Sequence, residues 1–266
     1  MIRAIVAGVG GRMGRVVSQL ILEGAELELC GGVERRDHPA VGRDLGELLG
    51  GKGLGLWVES DLERIIDRGE VLIEFTSPEA SLEHLEVVAR HGKAAVIGTT
   101  GFNPDQLARM RSLAEKASCL WSPNMSLGVN LMYALVERAA AALGDAYDIE
   151  VIEAHHHFKV DAPSGTAIKL AEVLAGATGR SLSEAGVYGR KGQVGERKRG
   201  EIGIHAIRAG DIVGDHTVIF GGMGERLEVT HRAQSRENFA RGALRAAQWI
   251  VNQGPGLYSM KDVLGF

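Results

Sequence analysis

The sequence predicts an α/β protein: a doubly wound parallel sheet followed by a second, α+β domain with an open mixed or antiparallel sheet. Three observations carry this reading. Short β-branched apolar runs alternate with amphipathic helical stretches through the first half of the chain. A glycine-rich turn joins the first run directly to the first helical stretch. Beyond residue 126 the pattern changes to one Ala-rich helical stretch and then closely spaced apolar runs separated by Gly-Asp and Gly-Glu turn signals.

In the first half, strands are expected at residues 3–9, 27–33, 71–75, 94–97 and 119–122, with helices at 12–23, 78–91 and 104–116. The second domain is expected to open with a helix at 127–143, a strand at 148–154 and, after a polar His-rich segment, a helix at 165–176. Runs at 201–208, 216–221 and 226–231 follow a Gly/Arg-rich loop and read as antiparallel strands. The amphipathic helix expected at 237–251 could join either domain.

With 266 residues and 45% hydrophobic content, the chain can bury one large core or two modest ones. The formal charge of −4 arises from 34 acidic and 30 basic residues spread along the chain, which gives nucleic acid or a membrane surface no footprint. No apolar run reaches membrane-spanning length, and the glycine-interrupted start is too short for a secretory core. Cys30 and Cys119 are the two cysteines, neither at zinc-finger spacing, so a reducing, cytoplasmic setting is expected.

The glycine turn runs Gly8-Val9-Gly10-Gly11-Arg12-Met13-Gly14. Glycines suit a place where a dinucleotide's pyrophosphate must approach the backbone, and the following helix start favours the phosphate charge. The last glycine comes one residue later than in the plain G-x-G-x-x-G pattern. Context strengthens the match, because the second strand ends at Glu34, about twenty residues after Gly14, where a ribose-binding acid is expected in a Rossmann-like fold. Arg35 and Arg36 follow. A carboxylate suits the 2′-hydroxyl of NADH and a guanidinium the 2′-phosphate of NADPH, so both cofactors remain open.

The densest chemistry lies in Glu153-Ala154-His155-His156-His157-Phe158-Lys159-Val160-Asp161-Ala162-Pro163-Ser164-Gly165-Thr166. It follows a strand and precedes a helix. Histidine can transfer a proton near neutral pH, lysine adds positive charge, and the Gly165 and Thr166 amides would open a helix suited to an anion. The segment therefore predicts a site for a small carboxylated molecule that must be protonated. A metal site is not expected, because neighbouring histidines in extended backbone point to opposite faces.

This segment resembles the signature of the dihydrodipicolinate reductase family, and so do the turn at 8–14, Gly98-Thr99-Thr100-Gly101-Phe102 and Pro123-Asn124-Met125-Ser126-Leu127-Gly128-Val129-Asn130. The blocks Arg208 to His216 and Gly224 to His231 extend the resemblance over nearly the whole chain. The resemblance implies a dinucleotide-binding domain at 1–126 to which 236–266 returns, and a substrate and oligomerisation domain at 127–235 that assembles a homotetramer. It implies that Gly8, Val9, Gly10, Gly11, Arg12 and Met13, with Glu34 and Arg35, hold the adenosine half of NADH or NADPH. Gly98, Thr99, Thr100, Ser122, Pro123, Asn124 and Met125 would hold the nicotinamide end. His156, Gly165 and Thr166 would bind the carboxylates of a small cyclic substrate, with His155 and Lys159 supplying charge and a proton.

The implied reaction is NAD(P)H-dependent reduction of 4-hydroxy-tetrahydrodipicolinate with loss of water, in the diaminopimelate route to lysine. One departure is that His157 stands where the family commonly has Arg, which exchanges a fixed positive charge for a titratable group. Another two-domain NAD(P)-dependent amino-acid or aldehyde dehydrogenase would explain the glycine turn but gives no role to Gly165 and Thr166. A non-catalytic NAD(P)H-sensing protein would normally carry a basic patch or recognition helix, and the sequence offers neither.

Overall fold

In chain order, β1 (Ile2–Ala7), α1 (Arg12–Glu23), β2 (Leu27–Val33), α2 (Leu45–Leu48), β3 (Val58–Glu59), β4 (Val71–Glu74), α3 (Pro78–Arg90), β5 (Ala94–Ile97), α4 (Pro104–Ala114) and β6 (Ser118–Trp121) come first. Next are α5 (Leu127–Leu143), β7 (Asp148–His155), α6 (Gly165–Ala177), α7 (Leu182–Ala185), β8 (Gly186–Tyr188), β9 (Ile202–Arg208), β10 (Gly214–Gly222) and β11 (Glu225–Ala233). The chain closes with α8 (Glu237–Ile250), β12 (Gly256–Tyr258) and α9 (Met260–Leu264). The computed structural model describes residues 1–266 and forms two units, Met1–Leu127 with Glu237–Phe266, and Gly128–Arg236.

The first unit is built on a parallel seven-stranded sheet in the order β12-β6-β5-β4-β1-β2-β3. Its central strands β4 and β5, with β1 from Ala4 onward, are buried on both faces, which is why they read as continuous apolar runs. On one face Val6, Ile73, Val96 and Leu120 pack with Val17 and Leu20 of α1 and with Ala243, Ala247 and Ile250 of α8. On the other, Ile5, Leu72, Ala95 and Ile97 pack with Leu85 and Val88 of α3 and Met110 of α4. Local signals fix the helix starts: Ser77 caps α3 through Ala80 N–H, and Asn103 and Gln106 form a capping box on α4, each followed by proline. Strand order reverses beside β1, between β2 and β4, which opens a crevice at the carboxyl ends of these strands.

The second unit carries a five-stranded mixed sheet in the order β11-β10-β7-β9-β8. The expected antiparallel pairing of the three runs after residue 200 holds for β10 with β11, whereas β9 runs parallel to β7. The parallel register serves the same apolar face. Ile149 lies opposite Ile202 and Val151 opposite Ile204, so this pairing puts four apolar side chains on one face. That face packs against Val129, Met132 and Val136 of α5 and Leu170 and Leu174 of α6. β3, β8 and β12 have only two or three residues each, and no periodicity announces them.

Helix α8 lies close to the backbone of the first unit, because a Cβ at Gly242 would run into the Met125 carbonyl. Gly242→Ala gains about 1 kcal/mol of helix propensity but overpacks against backbone that cannot give way cheaply, at about 1–3 kcal/mol. Urea unfolding should show a net loss of stability. A variant more stable than the parent would show that the contact relaxes.

Candidate active site

In the first unit the crevice is walled by three segments. The first is the glycine turn. Gly8 has φ +76, a conformation that disfavours side chains, and a Cβ there would sit 2.8 Å from the Phe75 carbonyl oxygen. A Cβ at Gly14 would collide with the Gly8 carbonyl, so the late glycine lets α1 pack tightly against the turn. Gly11 caps α1 without a side-chain bond, and the first turn of α1 has no acidic residue, which leaves its positive end suited to an anion.

The second wall is the end of β2, with Glu34, Arg35, Arg36 and His38. Glu34 accepts from Gly10 N–H at 2.9 Å and from Arg35 N–H at 3.0 Å, so its carboxylate also braces the glycine turn. The Arg35 guanidinium pairs with Asp37 at 3.3 Å, both largely exposed. The third wall is Phe75, Thr76 and Ser77 with Ala80, Glu83 and His84 of α3. The sequence gives no signal for its polar core, where the fully buried Glu74 takes His84 Nδ1 at 2.6 Å and the Thr76 hydroxyl. Burial of His84 opposes its charge, but the hydrogen bond and charge of Glu74 outweigh that and hold its pKa above the ordinary value. The narrow glycine cradle, uncapped helix start and Glu34 together suit a dinucleotide.

The expected nicotinamide-end residues have mostly internal polar partners. The Thr99 hydroxyl accepts from Thr76 N–H and Ser81 Oγ, both at 2.9 Å, and Ser122 Oγ donates to the Asn124 carbonyl at 2.7 Å. Asn124 Oδ1 accepts from Ser126 N–H, and Met125 is buried. A Cβ at Gly98 would strike the Phe75 ring, so glycine is required there by packing. Thr100 is exposed.

In the second unit, β7 delivers Glu153 and His155 to one face of the sheet, two residues apart. Register places His216 of β10 opposite Glu153 and Arg208 of β9 opposite His155, on that same face. Glu153 is fully buried. Its Oε2 meets His155 Nδ1 at 2.5 Å, and its Oε1 accepts the Ser164 N–H at 3.0 Å. The Arg208 fork donates to both oxygens, at 2.9 and 2.8 Å. Burial alone would raise the Glu153 pKa, but Arg208, His155 and the Ser164 amide outweigh it and hold the carboxyl below its usual range.

Ser164 caps α6, its hydroxyl accepting from Ala167 N–H and meeting His216 Nε2 at 3.1 Å. Gly165 and Thr166 thus open the helix, where N–H groups have no carbonyl partner within the helix itself. Lys159 pairs with Asp161 at 2.9 Å, and Arg208 Nη2 also donates to the Asp161 carbonyl. His156 is close to Phe158, and its Nδ1 is buried without a protein partner. The structure therefore gathers His155, Lys159, Gly165 and Thr166 around one polar network. Sequence reading misses its hub, although the two-residue spacing of Glu153 and His155 on a strand is a signal that could have found it.

Two family profiles cover the chain: one described as dihydrodipicolinate reductase, N-terminus, matches residues 2–125, and one described as dihydrodipicolinate reductase, C-terminus, matches 128–264. The chain is 56% identical to a 4-hydroxy-tetrahydrodipicolinate reductase of Syntrophus aciditrophicus, over all of this chain and 99% of that one. It is 55% identical to the Syntrophobacter fumaroxidans protein of the same name, with the same coverage. Among solved structures, a dipicolinate-bound dihydrodipicolinate reductase from Paenisporosarcina sp. TG-14 superposes with a TM-score of 0.79 at 27% identity, covering 97% of each chain. An amine dehydrogenase from Mycobacterium smegmatis, at 15% identity and TM-score 0.62 over 97% and 95% of the two chains, shares the fold.

Burial, and next the charge of His155, lower the His216 pKa from 6.5 to about 4. The folded state keeps this ring neutral, while the unfolded chain protonates it below about pH 6.5. Stability held by neutral His216 is thus present above pH 6.5 and lost as the pH falls towards 4, by about 3 kcal/mol in all. Glu153 loses its contribution in the same direction but at lower pH, only below its ordinary value of 4.5, so most of the His216 window lies above it. Thermal unfolding of His216→Gln should fall less steeply than the parent between pH 6.5 and 4. Equal slopes would assign the acid sensitivity to another group.

Proposed function

The chain belongs to the dihydrodipicolinate reductase family, and on that premise we propose that it reduces 4-hydroxy-tetrahydrodipicolinate to tetrahydrodipicolinate with loss of water, using NADH or NADPH, in the diaminopimelate route to lysine. The observation that carries this reading is His155 clamped to buried Glu153 beside the start of α6. A proton donor and an anion-binding helix start on one rigid anchor suit a small carboxylated substrate that must be protonated.

The first unit takes the dinucleotide in this reading, with Gly8, Val9, Gly10, Gly11, Arg12 and Met13 around its phosphates and Glu34 and Arg35 beside the adenosine ribose. Gly98, Thr99, Thr100, Ser122, Pro123, Asn124 and Met125 serve the nicotinamide end. When bound, the reduced nicotinamide supplies a hydride. The substrate, having lost its 4-hydroxyl as water, offers a C=C–C=N system. Addition at the vacated carbon leaves an enamine whose carbon needs a proton. His155 or Lys159 gives it, a transfer that contributes roughly 10²–10⁴-fold. His156 and the Gly165 and Thr166 amides hold the two carboxylates.

We further place the protein in the cytoplasm as a homotetramer. Cys30 and Cys119 are free, and no helix is long and apolar enough to cross a membrane. The sheet face of the second unit turned away from α5 and α6 carries Ile152, Ile207 and Ile219, with Ile207 47% exposed, which suits burial against further copies.

The test uses substrate generated freshly by a coupled synthase from pyruvate and aspartate semialdehyde, followed by loss of NADH or NADPH absorbance. Turnover is expected with the parent. His155→Ala and Lys159→Ala should each lower kcat by roughly 100-fold, about 2.7 kcal/mol, with NADH affinity retained. Pyridine-2,6-dicarboxylate should compete with substrate and not with NADH. Binding of NADH without turnover would favour the sensing alternative.

Cofactor choice gives a separate test. Glu34→Ala removes the ribose acceptor, a charge-assisted bond of roughly 1.5–3 kcal/mol, and relieves repulsion of a 2′-phosphate. NADPH should become preferred. In Arg35→Ala a 2′-phosphate faces Glu34 alone, and NADPH should weaken by about tenfold or more with NADH little changed. Kd ratios that move the same way in both variants would refute these roles.

A further inference from the structure

We infer that Glu153 and Arg208 are positioning residues that hold the proton donor and the carboxylate-binding helix start on a single buried anchor; this rests on the roles proposed above for His155, Gly165 and Thr166. The geometry is specific. One oxygen of Glu153 holds His155 Nδ1 at 2.5 Å and the other holds the Ser164 amide at 3.0 Å, at the N-cap of α6. With Nδ1 committed, Nε2 is the ring nitrogen left to work on a substrate.

The flank of Nε2 is kept open by sequence. A Cβ at Gly214 would lie 3.0 Å from Nε2, so any larger residue at this position of β10 would crowd it. Arg208 does the complementary task. Its fork covers both Glu153 oxygens, which fixes the carboxylate plane and compensates a charge that would otherwise be buried alone. Its bond to the Asp161 carbonyl carries the same anchor to the residue that pairs with Lys159. Displacements of 1 Å at such a site can cost about 100-fold in rate, so anchoring is a function distinct from touching the substrate.

The variants Glu153→Gln, His155→Ala and their combination separate the possibilities, read by kcat, KM, calorimetric affinity for pyridine-2,6-dicarboxylate and NADH, and proton NMR. In Glu153→Gln we expect kcat to fall by about tenfold or more and dicarboxylate affinity to weaken several-fold, with NADH affinity unchanged. The far-downfield resonance expected of the short Nδ1–H···carboxylate bond should vanish in both single variants. Because Glu153 acts on rate through His155, adding Glu153→Gln to His155→Ala should lower kcat no further, although dicarboxylate affinity still weakens.

Parental kcat in Glu153→Gln together with an impaired His155→Ala overturns the positioning role and leaves the reading of His155 intact. Parental kcat in His155→Ala removes that reading, and the inference with it. Strictly multiplicative losses in the double variant also overturn the inference. If Glu153→Gln does not fold, Gly214→Ala tests the working nitrogen: kcat should fall about fivefold or more, with dicarboxylate affinity within about twofold because Ser164 is untouched. Parental kcat in Gly214→Ala overturns the assignment of Nε2.

Discussion

A fully buried carboxylate, Glu153, is the constraint around which the polar half of the second unit is arranged. Removing a charge of this kind from water costs several kcal/mol unless it is paired and hydrogen-bonded on every side. Four donors surround it: two arms of Arg208, the Ser164 amide and His155 Nδ1. Those donors come from β9, the start of α6 and β7 itself. The carboxylate therefore ties three elements to one point, and the parallel pairing of β9 with β7 is what brings Arg208 there.

His216 shows why that arrangement is selective about charge. It lies on the same face, 5.2 Å from the His155 ring between centroids, and stays neutral by burial and by His155's charge. A neutral imidazole can accept from the Ser164 hydroxyl, while that oxygen accepts from Ala167 N–H. A charged one would place a second cation against His155 in a buried setting, which its lowered pKa resists. The helix start thus sits beside one histidine held uncharged next to another that is paired with a carboxylate.

Most of the fold is legible in the sequence because its signals are local. Pro78 after Ser77, and the Asn103 and Gln106 pair, mark helix starts by capping, and the glycine turn marks the strand-to-helix junction. Even the displaced last glycine has a local meaning, since Gly14 is where α1 touches the Gly8 carbonyl. The pairing of β9 is not legible, because its apolar alternation fits either a parallel or an antiparallel neighbour. The site divides in the same way. His155, Lys159, Gly165 and Thr166 lie in one contiguous motif, whereas Arg208 reaches Glu153 across 55 residues, and no spacing rule encodes that contact. Glu74 and His84 are also hidden: one ends a strand, the other lies inside a helix, and only the folded crevice brings them together.

The two units use the same device under different charge balance. Each buries a glutamate at or near the carboxyl end of a strand and spends it on a histidine, Glu74 on His84 and Glu153 on His155. Glu74 has no arginine: its side-chain partners are Thr76 and His84, so the buried charge calls for a cation, and His84 is held towards its protonated form. Glu153 has the full fork of Arg208. Its charge is compensated by that guanidinium as well as by the His155 bond, so the buried anion does not depend on the histidine alone. Which residue reaches the carboxylate sets that difference: Arg208 of the neighbouring strand β9 is there for Glu153, whereas Glu74 is met by Thr76 and His84.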